Sequence, residues 1–248
     1  MLTGRHVCIA GAGGIGEAVA RRALAAGAAV HLLDVDADRL AALGADLGVP
    51  HAAVDLTDGA ATHAALAAAR AAMGGLDGFV GVAGGSGRRL GDGPADTLST
   101  EAVRGTLDLN ALPPLLGLGG FVRAAGPQRP AGAVLIGSVL GGHPAPGFAT
   151  HAYAFAKAGI KGLVRAAAAH YAADGIQVNA VTPGLTRTPM AARAQGDPDV
   201  VAFATRKQPL APGGFVDPDE VASACVWLLS TRQVTGQVVA VDGGWSVS

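Results

Sequence analysis

Charge is scarce in this sequence of 248 residues. Charged side chains make up 15%, against about 25% in an ordinary soluble protein. Lys and Arg number 18 and Asp and Glu 19, for a formal net charge of −1. No long-range field gathers polyanions, so a nucleic-acid-binding module is not expected. Cysteine is nearly absent: Cys8 and Cys225 stand far apart inside apolar segments. A disulfide framework is excluded as a requirement, and a reducing compartment is the natural home. Long hydrophobic runs are missing too. The longest uncharged stretch, Pro130 to Ala156, is broken by Pro144, Pro146 and several glycines, so no membrane span is expected. The opening residues, Met1-Leu2-Thr3-Gly4-Arg5-His6, carry no signal-peptide pattern, and a cytoplasmic location is expected. No internal repeat, low-complexity tail or second domain is visible.

What is present is apolar material and glycine. Hydrophobic residues are 50% of the chain and glycines number 38, scattered as turns and close approaches rather than gathered into a linker. Short β-like runs alternate with Ala-rich helical stretches. The runs His6–Ala10, Ala29–Leu33, His51–Val54, Gly78–Val82, Gly132–Ile136, Ile176–Val181 and Val238–Val241 read as seven strands. Between them the pattern predicts helices over Ile15–Ala26, Ala37–Leu47, Thr57–Met73 with Thr57 as N-cap, Ser99–Asn110, His151–Ala173 and Val221–Leu229. The apolar strands lack clean alternation, as expected when helices cover both faces of a sheet. The repeated βαβ order implies an α/β fold: one Rossmann domain, a doubly wound seven-stranded parallel sheet with helices on both faces. A long irregular insertion, about 185–214, is expected to serve binding.

Ala10-Gly11-Ala12-Gly13-Gly14-Ile15-Gly16 follows the first strand and opens the first helix. In that setting Gly11 permits the tight turn and a middle glycine lets backbone approach a pyrophosphate. Gly16 permits helix–sheet packing, while the helix N-terminus offers N–H groups to phosphates. Asp34 ends the second strand. A carboxylate there accepts both ribose hydroxyls of adenosine and repels a 2′-phosphate. Asp36 adds a second negative charge, so NAD is expected over NADP. Arg39, the one nearby cation, reads as a solvated helix residue.

At the other end, Tyr153 and Lys157 stand four apart on one helix face. Proton transfer to or from an alcohol wants this pair, because a free phenol titrates near ~10 and a neighbouring cation makes phenolate accessible. The chain has only two tyrosines, and its lysines stand only at 157, 161 and 207, so accident is a poor explanation. Ser138 ends the fifth strand, where loops gather around ligands. Asn110 lies in an apolar helix, where an amide must be bonded; it either satisfies backbone groups at a kink or serves the chemistry through them. His143 either touches substrate or has no special duty, and His151 reads as part of a helix start. Met190, Phe203, Leu210 and Phe215 either line an apolar pocket or anchor the insertion. Trp245 packs at a subunit contact or closes a neighbouring site.

Glycine loop, Asp34, Asn110, Ser138, Tyr-x-x-x-Lys, Asn179-Ala180-Val181-Thr182-Pro183-Gly184 and Val241-Asp242-Gly243-Gly244 occur in the order of the short-chain dehydrogenase/reductases. The chain resembles that family over essentially its whole length. The resemblance implies that Tyr153 is the general acid/base. It makes Lys157 the residue that lowers the tyrosine's pKa and holds the nicotinamide ribose. Ser138 becomes the substrate-orienting hydroxyl and Asn110 the anchor of a proton-relay water. It implies adenine contacts from Asp55 and Leu56, ribose contacts from Ala83 and Gly84, and a carboxamide held by Thr186 and Thr188 after Pro183-Gly184. A homotetramer is implied as well. Three departures stand out. The loop is one residue shorter than usual with Ala10 for Thr, the usual Asn-Asn-Ala-Gly reads Gly81-Val82-Ala83-Gly84, and Tyr153 follows Ser138 by 15 positions. Reversible hydride transfer between NAD and a secondary alcohol or ketone is the leading expectation. An NADPH-dependent 3-oxoacyl or ketone reductase comes second; a non-catalytic NAD-binding protein and a cofactor-free lyase or dehalogenase rank lower.

Overall fold

A computed structural model describes residues 1–126 and 130–248. Seven strands form one sheet: β1 (His6–Ala10), β2 (Ala29–Asp34), β3 (His51–Ala53), β4 (Gly78–Gly81), β5 (Ala131–Ile136), β6 (Ile176–Pro183) and β7 (Val238–Val241). Their order is β3-β2-β1-β4-β5-β6-β7, and every pairing is parallel. The helices are α1 (Gly14–Ala25), α2 (Ala37–Leu47), α3 (Gly59–Met73), α4 (Thr100–Ala125), α5 (His151–Tyr171), α6 (Ala192–Gln195), α7 (Pro198–Lys207) and α8 (Pro218–Ser230). The fold is the doubly wound, Rossmann-type sheet expected from the sequence.

Two apolar layers explain why the strands look continuously hydrophobic. Val7 and Ile9 of β1 point into one layer with Val19 and Ala23 of α1, Leu40 of α2 and Leu228 of α8. Cys8 and Ala10 point the other way, toward Leu66 of α3, Phe121 of α4 and Ile160 of α5. Both faces are buried, so both parities must be apolar. Phe79 and Phe121 stack at 5.7 Å between ring centres inside the second layer. The chain winds from β1 out to β3, then crosses back to β4 on β1's other side. That reversal opens a crevice beyond the C-terminal ends of β1 and β4, where such sheets bind ligands.

Four boundaries differ from expectation, each for a local reason. Thr57 does not cap α3; Asp58 does, accepting from Ala60 N at 2.8 Å and Ala61 N at 3.0 Å. Thr57 is already committed to Asp55, with its hydroxyl 2.7 Å and its amide 2.9 Å from Oδ1. Helix α4 does not stop at Asn110 but runs through Pro113 and Pro114 to Ala125, capped by Ser99. Burial of Leu118, Phe121, Ala124 and Ala125 outweighs the two missing amide donors. α8 starts at Pro218 behind an Asp217 cap, ahead of its first apolar residue, Val221. Finally, the 185–214 insertion is not irregular throughout, since it contains α6 and α7. Among the described residues no helix is long and apolar enough to cross a membrane.

Candidate active site

The glycine turn is shaped by backbone crowding. Gly11 has φ +108°, and a Cβ there would lie 2.6 Å from Ala83 N. Ala83 N and Val82 N each donate to Ala10 O at 2.8 Å, so the ends of β1 and β4 are laced together. A Cβ on Gly16 would overlap Gly11 O, and one on Gly14 would come within 2.9 Å of Thr188 Cγ2. Thr188, from the insertion, therefore stands over the loop. Gly13 alone among these has open space beyond it. It precedes α1 without any side-chain cap, which leaves first-turn N–H groups for solvent or an anion. Ile15 packs partly buried against the first core layer. A crowded turn with one open, amide-rich place fits a dinucleotide pyrophosphate.

Asp34 is buried and heavily engaged. Oδ2 accepts from Ala12 N at 2.6 Å; Oδ1 accepts from Asp36 N at 3.0 Å and Arg39 Nη2 at 2.8 Å. Arg39 is thus not a free solvated residue, because it also reaches Asp36 at 3.4 Å. Sequence spacing missed this pairing, which needs α2 to fold back on the end of β2. Asp55 is exposed, and its bonds from Thr57 hold its carboxyl below the ordinary range; Leu56 beside it is buried. Pro183 ends β6 opposite Val241. Gly184 N donates to Val241 O at 3.0 Å, and the buried Thr186 hydroxyl donates to Gly184 O at 3.0 Å.

Tyr153, Ser138 and Lys157 come together. The Ser138 hydroxyl faces the Tyr153 phenol and favours its ionised form. Ser138 Oγ also accepts from Leu140 N at 3.2 Å, which orients it at the strand end. Lys157 Nζ lies 5.8 Å from the Tyr153 ring centre and donates to Ile136 O at 3.1 Å. Burial pushes the Lys157 ammonium down to about 8. Burial pushes the Tyr153 phenol up, and the Ser138 hydroxyl only partly offsets it. The protein's own groups therefore leave the phenol above its ordinary value, contrary to the lowering expected from Lys157. Asn110 is fully buried: Oδ1 accepts from Gly85 N at 3.1 Å, and Nδ2 donates to Gly85 O and Thr106 O at 3.0 Å. Gly84 is wedged between Asn110 and Lys157, its Cβ position being 2.8 Å from Asn110 Oδ1 and 3.2 Å from Lys157 Nζ. Asn110 thus braces the backbone that separates it from the lysine.

The insertion is held by residues with no sequence signature. Gln208, fully buried, accepts from Leu185 N at 2.6 Å and donates to Leu185 O at 3.1 Å and Gly214 O at 2.8 Å. Trp245 is buried in its own chain, and its Nε1 donates to His143 O at 2.8 Å. It meets Phe148 and Phe203 edge-on at 5.4 and 5.7 Å. The His143 side chain itself is exposed, as are Met190 and Leu210, while Phe215 is buried as an anchor. His151 does more than start a helix, since its Nδ1 accepts from Ala95 N at 2.9 Å. Among the described residues no His, Cys, Asp or Glu cluster can hold a metal ion.

Comparison with known proteins agrees with the fold. A family model described as Enoyl-(Acyl carrier protein) reductase covers residues 9–246. An "inactive 2-(S)-hydroxypropyl-CoM dehydrogenase 2" from Xanthobacter autotrophicus is 36% identical over 91% of this chain and 98% of its own. A 2,5-dichloro-2,5-cyclohexadiene-1,4-diol dehydrogenase from Sphingobium indicum is 33% identical over 99% and 98%. The solved structure of a short-chain type dehydrogenase/reductase from Mycobacterium ulcerans superimposes with TM-score 0.91 at 29% identity, covering 99% of this chain and 91% of that one.

Proposed function

The chain belongs to the short-chain dehydrogenase/reductase family, and from that premise we propose an NAD-dependent dehydrogenase of neutral secondary alcohols. The single observation that carries the reading is the convergence of Ser138 and Tyr153 at the strand end with the Lys157 ammonium buried beside them. In the oxidation direction Ser138 holds the alcohol oxygen against Tyr153, and the phenolate oxygen takes the hydroxyl proton. Lys157 spends one N–H on Ile136 O, leaves the others for the cofactor ribose, and keeps positive charge near the phenolate. Asn110 keeps Gly85 and hence Gly84 in place under the lysine. The open place at Gly13 with the first turn of α1 would hold the pyrophosphate, and Asp34 the adenosine ribose. Ala83, Gly84, Asp55 and Leu56 would flank the adenosine, with Thr186 and Thr188 at the carboxamide. Bound NAD supplies the hydride acceptor.

Two carboxylates, Asp34 and Asp36, share one guanidinium, Arg39. The net charge left at the ribose end is negative, which disfavours a 2′-phosphate. The same Arg39 is the one observation that favours the second reading, an NADPH-dependent ketone or 3-oxoacyl reductase, because a guanidinium is what a 2′-phosphate seeks. Similarity to a cyclic diol dehydrogenase and the aromatic contacts of Trp245 support a partly apolar, cyclic substrate. A cytoplasmic, homotetrameric enzyme completes the reading.

Fluorescence titration with NADH and NADPH tests the cofactor. NADH is expected to bind at least tenfold tighter, about 1.4 kcal/mol; equal or tighter NADPH binding overturns the choice of NAD. A panel of cyclohexanol, cyclohexane-1,2-diol, 4-hydroxycyclohexanecarboxylate and 2-butanol with NAD tests the reaction. Silence on the whole panel despite tight NADH binding favours a non-catalytic NAD-binding protein.

A further inference from the structure

Tyr153 sits in the first turn of α5, where backbone amides lack helical partners and the chain tends to fray. The local cap is missing: Thr150, at the N-cap position, makes no side-chain bond to the helix. Two of the orphan amides are satisfied by a residue some sixty positions earlier. Asp92 Oδ1 accepts from Ala152 N at 3.0 Å, and Oδ2 accepts from Tyr153 N at 2.9 Å. Both carboxylate oxygens are spent on the turn that carries the phenol.

Asp92 is itself tightly placed. It is buried, its amide donates to Gly87 O at 3.0 Å, and a Cβ on Gly87 would come within 2.8 Å of its own Cβ. Gly91, just before it, adopts φ +91°, the left-handed backbone that turns the carboxylate inward. The same segment grips α5 twice more, through His151 N to Gly93 O at 3.2 Å and Ala95 N to His151 Nδ1 at 2.9 Å. It starts at Gly85, which Asn110 holds by both ends of its amide. One continuous stretch thus ties the floor beside Lys157 to the turn bearing Tyr153.

We propose that Asp92 is a positioning residue for Tyr153: its carboxylate is a remote cap that keeps the first turn of α5 wound, so that the phenol meets Ser138. The inference rests on the reading of Tyr153 as the proton-transfer group. A proton-transfer group displaced by about 1 Å loses on the order of a hundredfold in rate, and an uncapped first turn permits such displacement. Asp92 acts on backbone, away from the cofactor crevice, so it bears on turnover rather than on cofactor binding.

The test compares Asp92→Ala, Asp92→Asn and Tyr153→Phe in the full chain. Turnover uses NAD and the fastest alcohol of the panel above. NADH titration and hydrogen exchange of the α5 amides accompany it. For Asp92→Ala, kcat is expected to fall ten- to a hundredfold, with KM and NADH affinity within twofold. Exchange in the first turn of α5 should rise about tenfold while later turns stay protected. Asp92→Asn, which keeps one good acceptor, should recover part of the loss, and it carries the comparison if the alanine variant does not fold. A kcat within twofold of wild type in Asp92→Ala overturns the inference. So does a parallel loss of NADH affinity, or an asparagine no better than alanine. If Tyr153→Phe keeps full activity, or the panel is silent, the underlying reading fails instead, and the inference with it.

Discussion

The turn after β1 and the first turn of α5 both present groups at the C-terminal edge of one sheet, yet they are held in opposite ways. The glycine turn is held by what is absent: Gly11, Gly14 and Gly16 leave no room for a Cβ against Ala83, Thr188 and Gly11 O. The start of α5 is held by what is added from afar, Asp92 on its amides and the Gly93–Ala95 backbone on His151. The loop behind Ser138 belongs with the second kind, since Trp245 pins His143 O from the far end of the chain. Exclusion asks only for a missing side chain and reads as a motif, whereas tethering needs a particular donor or acceptor from elsewhere and leaves no pattern along the chain. A substrate end built from long-range tethers can be altered one contact at a time.

The largest effect should come from the reacting end. Tyr153→Phe is expected to lower kcat by about a thousandfold, or about 4 kcal/mol, while NADH affinity stays within twofold in titration. Comparable activity would mean that the two ends are not divided as described. Next comes crowding at the cofactor end. Gly16→Ala should destabilise the fold by about 3 kcal/mol in urea unfolding, because the new methyl overlaps Gly11 O.

Lys157 offers an effect of similar size with a defined sign. Its folded pKa lies near 8, below the ordinary 10.5, so between those values the unfolded chain binds more protons. Stability from this group therefore rises as pH climbs from about 8 toward 10, recovering up to about 3 kcal/mol. Tyr153, with its raised pKa, works the other way above about pH 10. The difference in unfolding free energy between wild type and Lys157→Met should therefore move toward wild type across pH 8 to 10. A flat difference would mean that the ammonium is not desolvated.

Trp245→Phe should cost about 1 kcal/mol by removing the donor to His143 O, with the slower turnover of a loosened loop. The smallest stability change is expected at Gly13→Ala, below about 0.5 kcal/mol, since nothing stands within 4 Å of its Cβ position. Its NADH affinity should nonetheless drop, which sets the one open glycine apart from its crowded neighbours. A large stability loss at Gly13 would erase the contrast.

The glycine turn, Asp34, Ser138 and the Tyr153–Lys157 spacing were legible because each follows from one strand end or one helical period. Seven strands were placed to within one or two residues for the same reason, as apolar runs ending at turn residues. The misplaced elements involve a competition that a linear reading cannot judge. Thr57 looked like a cap until Asp55 claimed its hydroxyl, and the helix expected to end at Asn110 runs on because the core buries the rest of α4. Arg39 looked solvated although its partners Asp34 and Asp36 stand only five and three positions before it, because their pairing depends on how the β2–α2 turn bends. Asp92 and Gln208 gave no signal at all, and Trp245, read as a subunit contact or a closure on a neighbouring site, is buried in its own chain against His143 O.

Strand–helix alternation, the glycine turn and the Tyr153–Lys157 spacing could be read from the order of residues alone, since each depends on neighbours within a few positions. Which carboxylate caps the helix that bears Tyr153, which amide holds the insertion, and which indole pins the loop behind Ser138 follow only from the folded chain. Those choices join residues 60, 23 and 102 positions apart, and a hydrogen bond at such separation is set by the closing of the chain around the sheet.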